Sequence, residues 1–226
     1  MPATTTPGVL AEFAHRGQTV RFFVSDIADV IQNQHINGYF YEPIELDIIA
    51  AHFPAGGVYL DIGANVGNHL VYMSKFCAPS AVIAVEPNPS ALRLLHLNLL
   101  LNALPATVVA MGLSDAPGKA EARWPSHNLG GARMMAEDNG RIQMIPGDDL
   151  FADRKIDFMK IDVEAQELAV LRGLARTIAA NRPTIFVEVD DVNREAMDAW
   201  IADNRYQVAR KHRRYVDNEN LLLLPL

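Results

Sequence analysis

The chain has 226 residues, 50% hydrophobic and 21% charged, with a formal net charge of -7. This is the size and balance of one large soluble domain with a real core, and its acidity disfavours long nucleic-acid substrates. A single cysteine, Cys77, excludes an internal disulfide and a multi-cysteine zinc site. There is no apolar run near the ~20 residues of a membrane span and no leader-like start, so the cytoplasm is the default location.

Residues 1–56 read as a lead-in or lid segment, with a strand predicted at Thr19–Val24 and a helix near Glu45–His52. Residues 57–226 read as the main domain. In it, Val58–Ile62 is a short apolar run ending at Gly63, and an amphipathic stretch follows from Val66 to Cys77. Cys77 is expected there as a buried, inert thiol. Ala81–Val85 is a second buried-type strand. Asn88 and Pro89 then read as the N-cap and first position of a leucine-rich helix running to about Leu101. Thr107–Met111, Phe158–Val163 and Pro183–Val189 are three further strands. One helix carries Leu168, Leu171, Leu174 and Ile178, and another spans Asn193–Ala202.

Tyr206–Ala209 and Leu221–Leu224 predict a closing hairpin. The basic cluster Arg210–Arg214 is read as a solvated turn between its strands. Ser114–Asp149 is longer than an ordinary loop and rich in Gly, Pro, Asn and Met, either a substrate lid or a surface hairpin. Continuous apolar strands alternating with helices indicate an α/β, Rossmann-like fold. Its sheet should be mostly parallel and twisted, with one antiparallel strand and helices on both faces.

The strongest local signal is Asp61-Ile62-Gly63-Ala64-Asn65-Val66-Gly67-Asn68. A strand feeding a glycine turn that opens a helix admits a nucleotide at the strand's carboxyl end. A dinucleotide fingerprint would place glycine at Asn65 and Asn68. With asparagine at both, the turn suits an adenosine ligand without phosphates. A second signal is Glu86-Pro87-Asn88. An acid ending the second strand is placed to accept hydrogen bonds from both ribose hydroxyls. A third is Lys160-Ile161-Asp162-Val163-Glu164, whose acids should face the same crevice. Glu164 is alternatively a helix cap.

These stretches, LDIGANVGNHLVYMSKF, VIAVEPNPSALRLLHLNLLLN, GLSDAPGKA, MKIDVEAQELAVLRG and FVEVD, resemble the FkbM methyltransferases from roughly Tyr41 to Asp190. The resemblance implies a class I methyltransferase fold, S-adenosyl-L-methionine as cofactor, and O-methylation of a hydroxyl on a sugar, glycan or secondary metabolite. By position it assigns Asp61, Gly63, Ala64, Asn65, Gly67, Asn68, Glu86, Pro87, Asn88, Asp162 and Glu164 to the cofactor. Ser114 and Asp115 would lie beside the adenine. The family usually has glycine after the acid of the fourth-strand motif, where this chain has Ala165-Gln166.

Methyl transfer from a sulfonium is an in-line displacement in which positioning dominates, and a base for the acceptor hydroxyl helps further. Asp162, His69, Glu188 and His127 are candidate bases, although His69 also reads as a helix-surface residue. His127, Asn128 and Arg133 in the long insertion are candidates for substrate contact. Tyr41 and Glu42, with Tyr39, either fold over the site or simply pack the lead-in. Asp162 with Glu188 and Asp190 has the chemistry for a hard cation. Strand-end carboxylates more often serve caps and ligands, so no metal is expected. A small-molecule or glycan partner is expected and no nucleic acid; the oligomeric state stays open. Two competing readings are a nicotinamide-dependent oxidoreductase, against which Asn65 argues, and a catalytically silent binding module. A nucleic-acid amino-methyltransferase is disfavoured, because its Asn/Asp-Pro-Pro-aromatic motif is missing from the fourth strand.

Overall fold

The computed structural model describes residues 7–226. The chain opens with a hairpin of β1 (Val9–His15) and β2 (Gln18–Val24). Its two-residue turn, Arg16-Gly17, has φ of 46 and 77, the mirror-image geometry that matches strand twist. Then come α1 (Val30–Ile36) and α2 (Pro43–His52). The core begins with β3 (Val58–Ile62), α3 (Asn68–Phe76), β4 (Ala81–Val85), α4 (Pro89–Leu101) and β5 (Thr107–Val109). As the sequence predicts, Asn88 caps α4, its side chain accepting from the Ser90 N–H at 3.0 Å, and Pro89 takes the first turn.

A side unit follows: β6 (Gly112–Ser114), β7 (Gly118–Arg123), β8 (Arg133–Ala136), β9 (Ile142–Pro146) and α5 (Asp148–Phe151). The core resumes with β10 (Phe158–Ile161), α6 (Glu167–Gly173), α7 (Ala175–Asn181), β11 (Thr184–Asp190), α8 (Arg194–Asp203), β12 (Tyr206–His212) and β13 (Asn218–Pro225).

The seven-stranded sheet has the order β12-β13-β11-β10-β3-β4-β5. β13 runs antiparallel to both neighbours and the remaining pairs are parallel. Strand alternation sends Tyr59, Phe158, Phe186 and Leu222 into one hydrophobic cluster, beneath α2, α3 and the N-terminal hairpin. Leu60, Ile62, Met159, Ile161, Ile185 and Val187 enter the other, beneath α6, α7 and α8. Both faces are therefore dry, which explains the continuous apolar strands. Among the described residues no helix is long and apolar enough to cross a membrane.

Several sequence expectations change. The helix through Leu168 and Ile178 breaks at Leu174 into α6 and α7. Gly173 there meets the chain so closely that a Cβ would lie 1.9 Å from the Ser114 carbonyl oxygen. The 114–149 segment is no plain loop. It builds a four-stranded sheet ordered β6-β9-β7-β8.

The basic cluster is not a free turn either. Arg210–His212 belong to β12. Arg213 pairs with Asp191 at 2.8 Å, and Arg214 lies 4.8 Å from the Tyr41 ring centre. Cys77 caps the end of α3 and is half-buried.

Candidate functional site

The carboxyl ends of β3, β4, β10 and β11 meet at the crevice where strand order reverses, and two adjoining cavities open there. The first encloses about 600 Å³, part of it open to solvent, between Gly63, Glu86, Pro87, Leu113 and Met144. The second, about 1090 Å³ and also partly open, is walled by Glu42, His69, Lys160, Asp162, Glu188 and Arg133, among others. Gly63, Asn65, Gly130, Asp162 and Glu164 line both.

Gly63 turns the chain at φ +82, and a Cβ there would sit 1.8 Å from the Asp162 carbonyl oxygen, so only glycine fits. Its N–H and that of Ala64 both donate to the Val85 carbonyl, at 2.9 and 3.1 Å. Asn65 follows in left-handed geometry, φ 50, with its Oδ1 buried and lacking a hydrogen-bond partner. Gly67 starts α3 at φ +89. Glu86, 5% exposed, accepts the Asn65 N–H through Oε2 and the Asn88 N–H through Oε1, both at 2.7 Å. Burial pushes its carboxyl up to about 7, against the pull of those two N–H groups. A carboxylate has about four lone-pair sites, so roughly two remain for a ligand.

A charged cluster forms the floor of the second cavity. In-register pairing puts Lys160 beside Asp61 on one face of the sheet. The Lys160 ammonium donates to the Gly63 carbonyl at 3.1 Å and to Asp162 Oδ2 at 3.0 Å, and lies 3.6 Å from Asp61 Oδ1. Burial works against this ammonium, yet Asp162 and Asp61 outweigh it and hold its pKa above the ordinary lysine value. Asp61 is fully buried, and burial raises its carboxyl. It lines neither cavity and acts from below, through Lys160.

Burial, then the Asp162 charge, raises the carboxyls of Glu42, Glu164 and Glu188, that of Glu164 to about 7. His69 is no surface residue. It is 5% exposed, its Nε2 stands 3.7 Å from Glu42 Oε2, and burial with the Lys160 charge holds its pKa well below 6.5.

Asn68 fastens the lead-in to this floor. Its amide exchanges 2.9 Å hydrogen bonds with both backbone groups of Tyr41 and meets His35 Nε2 at 3.0 Å. Tyr41 and Glu42 thereby become cavity wall, whereas exposed Tyr39 does not line it. Glu42 is held at φ 58 immediately before Pro43, a strained geometry of the kind that gathers at functional sites. The hydroxyls of Tyr41 and Tyr215 touch across the rim.

Other sequence candidates fall away from the cavities. Ser114 and Asp115 line neither, because Asp115 is drawn to Arg172 at 2.8 Å; Gly112 and Leu113 stand at the wall instead. The Asn88 side chain is occupied as a cap. His127 faces outward to Asp26 at 2.8 Å, while its neighbour Asn128 and Arg133 do line the second cavity. Asp190 caps the Val192 N–H and meets Arg133 at 3.4 Å, so Glu164 takes its place beside Asp162 and Glu188. Lys160 was the residue that sequence reasoning passed over, although a lone lysine in the apolar run Phe158-Met159-Lys160-Ile161 was a readable signal. Leu129, Gly130 and Met134 come from the side unit and carry no such mark.

Comparison with known proteins agrees with this architecture. The model of the methyltransferase FkbM domain matches residues 61–208. The hexuronic acid methyltransferase AglP of Haloferax volcanii is 27% identical over 169 residues, covering 72% of this chain and 67% of that one. Methyltransferase sdnD of Sordaria araneosa is 21% identical over 83% of this chain and 92% of its own. In fold, the chain resembles the crystal structure of methyltransferase FkbM from Methylobacillus flagellatus KT. The TM-score is 0.59 at 20% identity, over 88% of this chain and 56% of the other. The match across residues 61–208, in a chain with a glycine turn against Asp162, an acid following β4 and the sheet order β12-β13-β11-β10-β3-β4-β5, places this chain in the FkbM methyltransferase family.

Proposed function

We propose that this protein transfers a methyl group from S-adenosyl-L-methionine to a hydroxyl oxygen of a sugar, glycan or secondary metabolite. The observation that carries the reading is the pair of cavities joined at Gly63, Asn65, Asp162 and Glu164. One fits a nucleoside and the other a polar acceptor, so the reacting atoms would meet at their seam.

The residues present fit this cofactor. Glu86 keeps acceptor capacity for ribose hydroxyls, and Pro87, Leu113 and Met144 offer apolar walls to a base. The buried Asn65 Oδ1, unpartnered among the described residues, is open to a donor, and Asp162 and Glu164, which line the same cavity, would hold the cofactor's ammonium. The cofactor supplies an electrophilic methyl on a sulfonium. The chain supplies position and a place for the proton. His69, kept neutral by burial and by Lys160, can take the acceptor's proton at Nε2, with Glu42 beside it to steady the imidazolium. Asp162 and Glu188 line the same space as further acceptors. The named activity of AglP on a hexuronic acid supports a sugar hydroxyl as the acceptor class.

Thermal unfolding with S-adenosylhomocysteine and with NAD tests the cofactor. A ligand at ~100 times its dissociation constant stabilises by about 2.7 kcal/mol. Stabilisation by NAD alone would transfer the site to hydride chemistry. Radiolabelled methyl transfer to hydroxylated glycans then separates an enzyme from a silent binder.

A further inference from the structure

We propose that Asp162, Glu164 and Glu188 form a binding site for one hard divalent cation on the acceptor side of the cavity seam, where it would hold the acceptor hydroxyl. This rests on the methyl-transfer reading only for the cation's role, not for its binding.

One carboxylate oxygen from each of these three residues lies within 4.8 Å of the other two, close enough to share one ion. The grouping follows from the fold. Asp162 and Glu164 leave the end of β10, and Glu188 projects from the neighbouring strand β11, on the face that buries Phe186. Glu164 is turned in by a left-handed bend, with φ 53 there and 72 at Ala165. Among the described residues neither Glu164 nor Glu188 is ion-paired with a basic side chain, and the Lys160 ammonium on the floor is shared between Asp162 and Asp61. All-oxygen, carboxylate-rich sets select Mg²⁺, Mn²⁺ or Ca²⁺ over softer metals.

A separate observation points to a ligand in the same space. His69 is 5% exposed and lines this cavity, yet among the described residues its Nε2 has no hydrogen-bond partner. A buried ring nitrogen left open is costly unless a group from outside completes it. An acceptor hydroxyl held by the cation would do so, facing its proton to His69. On transfer, oxygen gains the methyl carbon, the carbon–sulfur bond breaks with its electron pair leaving on sulfur, and the proton goes to Nε2. The cofactor's own ammonium does not account for the cluster, because Glu188 lines the acceptor cavity alone.

The test is Mn²⁺ titration of the chelator-stripped full chain, read by electron paramagnetic resonance, without methyl transfer. One Mn²⁺ per chain is expected. Glu188→Gln and Glu164→Gln should each weaken it at least about tenfold, since loss even of a group behind a metal ligand costs that much. Each glutamine is close in shape to the carboxyl it replaces, so both variants should fold, as a thermal melt will verify. Glu188→Gln should leave S-adenosylhomocysteine affinity within about twofold, since it touches no wall of the first cavity.

The proposal fails if no Mn²⁺ binds below about 1 mM, the weak end of protein calcium and magnesium sites, or if both variants bind it as the parent does. Intact S-adenosylhomocysteine binding in that event leaves the methyltransferase reading standing and removes only the cation.

Discussion

Glu86→Gln separates the two duties of the acid ending β4. The carboxylate accepts the Asn65 N–H on one oxygen and the Asn88 N–H on the other, both at 2.7 Å, so it clasps the glycine turn to the start of α4. Glutamine retains one acceptor oxygen and turns its amide donor toward the second N–H. The loss is one charge-assisted bond, worth about 1.5–3 kcal/mol, partly offset by removing a buried charge. Unfolding by urea should therefore show a net cost of about 2 kcal/mol.

Cofactor binding should suffer more. With the ribose hydroxyls facing an amide in place of a carboxylate, a loss of about 3 kcal/mol, or roughly 10²-fold in affinity, is expected by calorimetry with S-adenosylhomocysteine. Thr177→Val is the control. It removes a 2.7 Å bond to Asp148 beneath α7, away from both cavities, and should cost similar stability with unchanged affinity. The pH dependence has a definite sign. The fold holds Glu86 at about 7, so at pH 6 most of it is protonated, and a ligand needing the carboxylate should bind roughly tenfold tighter at pH 8. A folded Glu86→Gln protein that binds within threefold of the parent refutes the ribose assignment.

Gly63→Ala should lower the unfolding free energy by several kcal/mol or abolish soluble expression, because its Cβ would sit 1.8 Å from the Asp162 carbonyl at φ +82; a wild-type urea midpoint sinks the turn geometry. His35 stacks on Phe22 at 3.7 Å, and burial depresses its pKa to about 4. The unfolded chain therefore binds this proton first, and stability that is complete above the ordinary value of 6.5 falls as pH drops toward 4. About 2 kcal/mol should be gone by pH 5, and His35→Gln should flatten that slope. Asn68→Ala leaves both Tyr41 backbone groups and His35 Nε2 without their partner, which should cost about 2–4 kcal/mol. Chymotryptic cleavage at exposed Tyr39 should then accelerate at least tenfold; an unchanged rate means the lead-in is held by something else.

The glycine-turn cavity was legible because its parts are short and contiguous. Asp61 to Asn68 is strand, turn and helix start in eight residues, and Asn88-Pro89 marks the next helix without help from the rest of the chain. The antiparallel β13 was readable from its leucine run and the short connection before it. Strands β7 and β8 were not. Gly118–Arg123 alternates only through the small Ala120 and Ala122, and Arg133–Ala136 is four residues with three exposed, so neither gives a strong period-two signal. β1 escaped for the same reason, with Ala11 its one fully buried side chain. Ser114 and Asp115 were drawn toward the adenine by position along the chain, but Arg172 on α6 holds Asp115 elsewhere. Only the folded packing of α6 against β6 reveals that competition.

The second cavity is assembled from distant pieces, and that is also why its charge could not be read. Glu42 precedes α2, His69 begins α3, Arg133 opens β8, Asp162 and Glu164 follow β10, and Glu188 sits late in β11. None is informative alone. Their sum is a cavity with acids in excess of Lys160 and Arg133, the latter already engaged with Asp190. Burial raises the carboxyls of Glu42, Glu164 and Glu188, so the charge of this wall grows as pH rises through the value of about 7 at which Glu164 is held. On the proposed reading, acceptor choice would thus depend on the charge of this second cavity, which comes from side chains outside the glycine turn and the Glu86 motif.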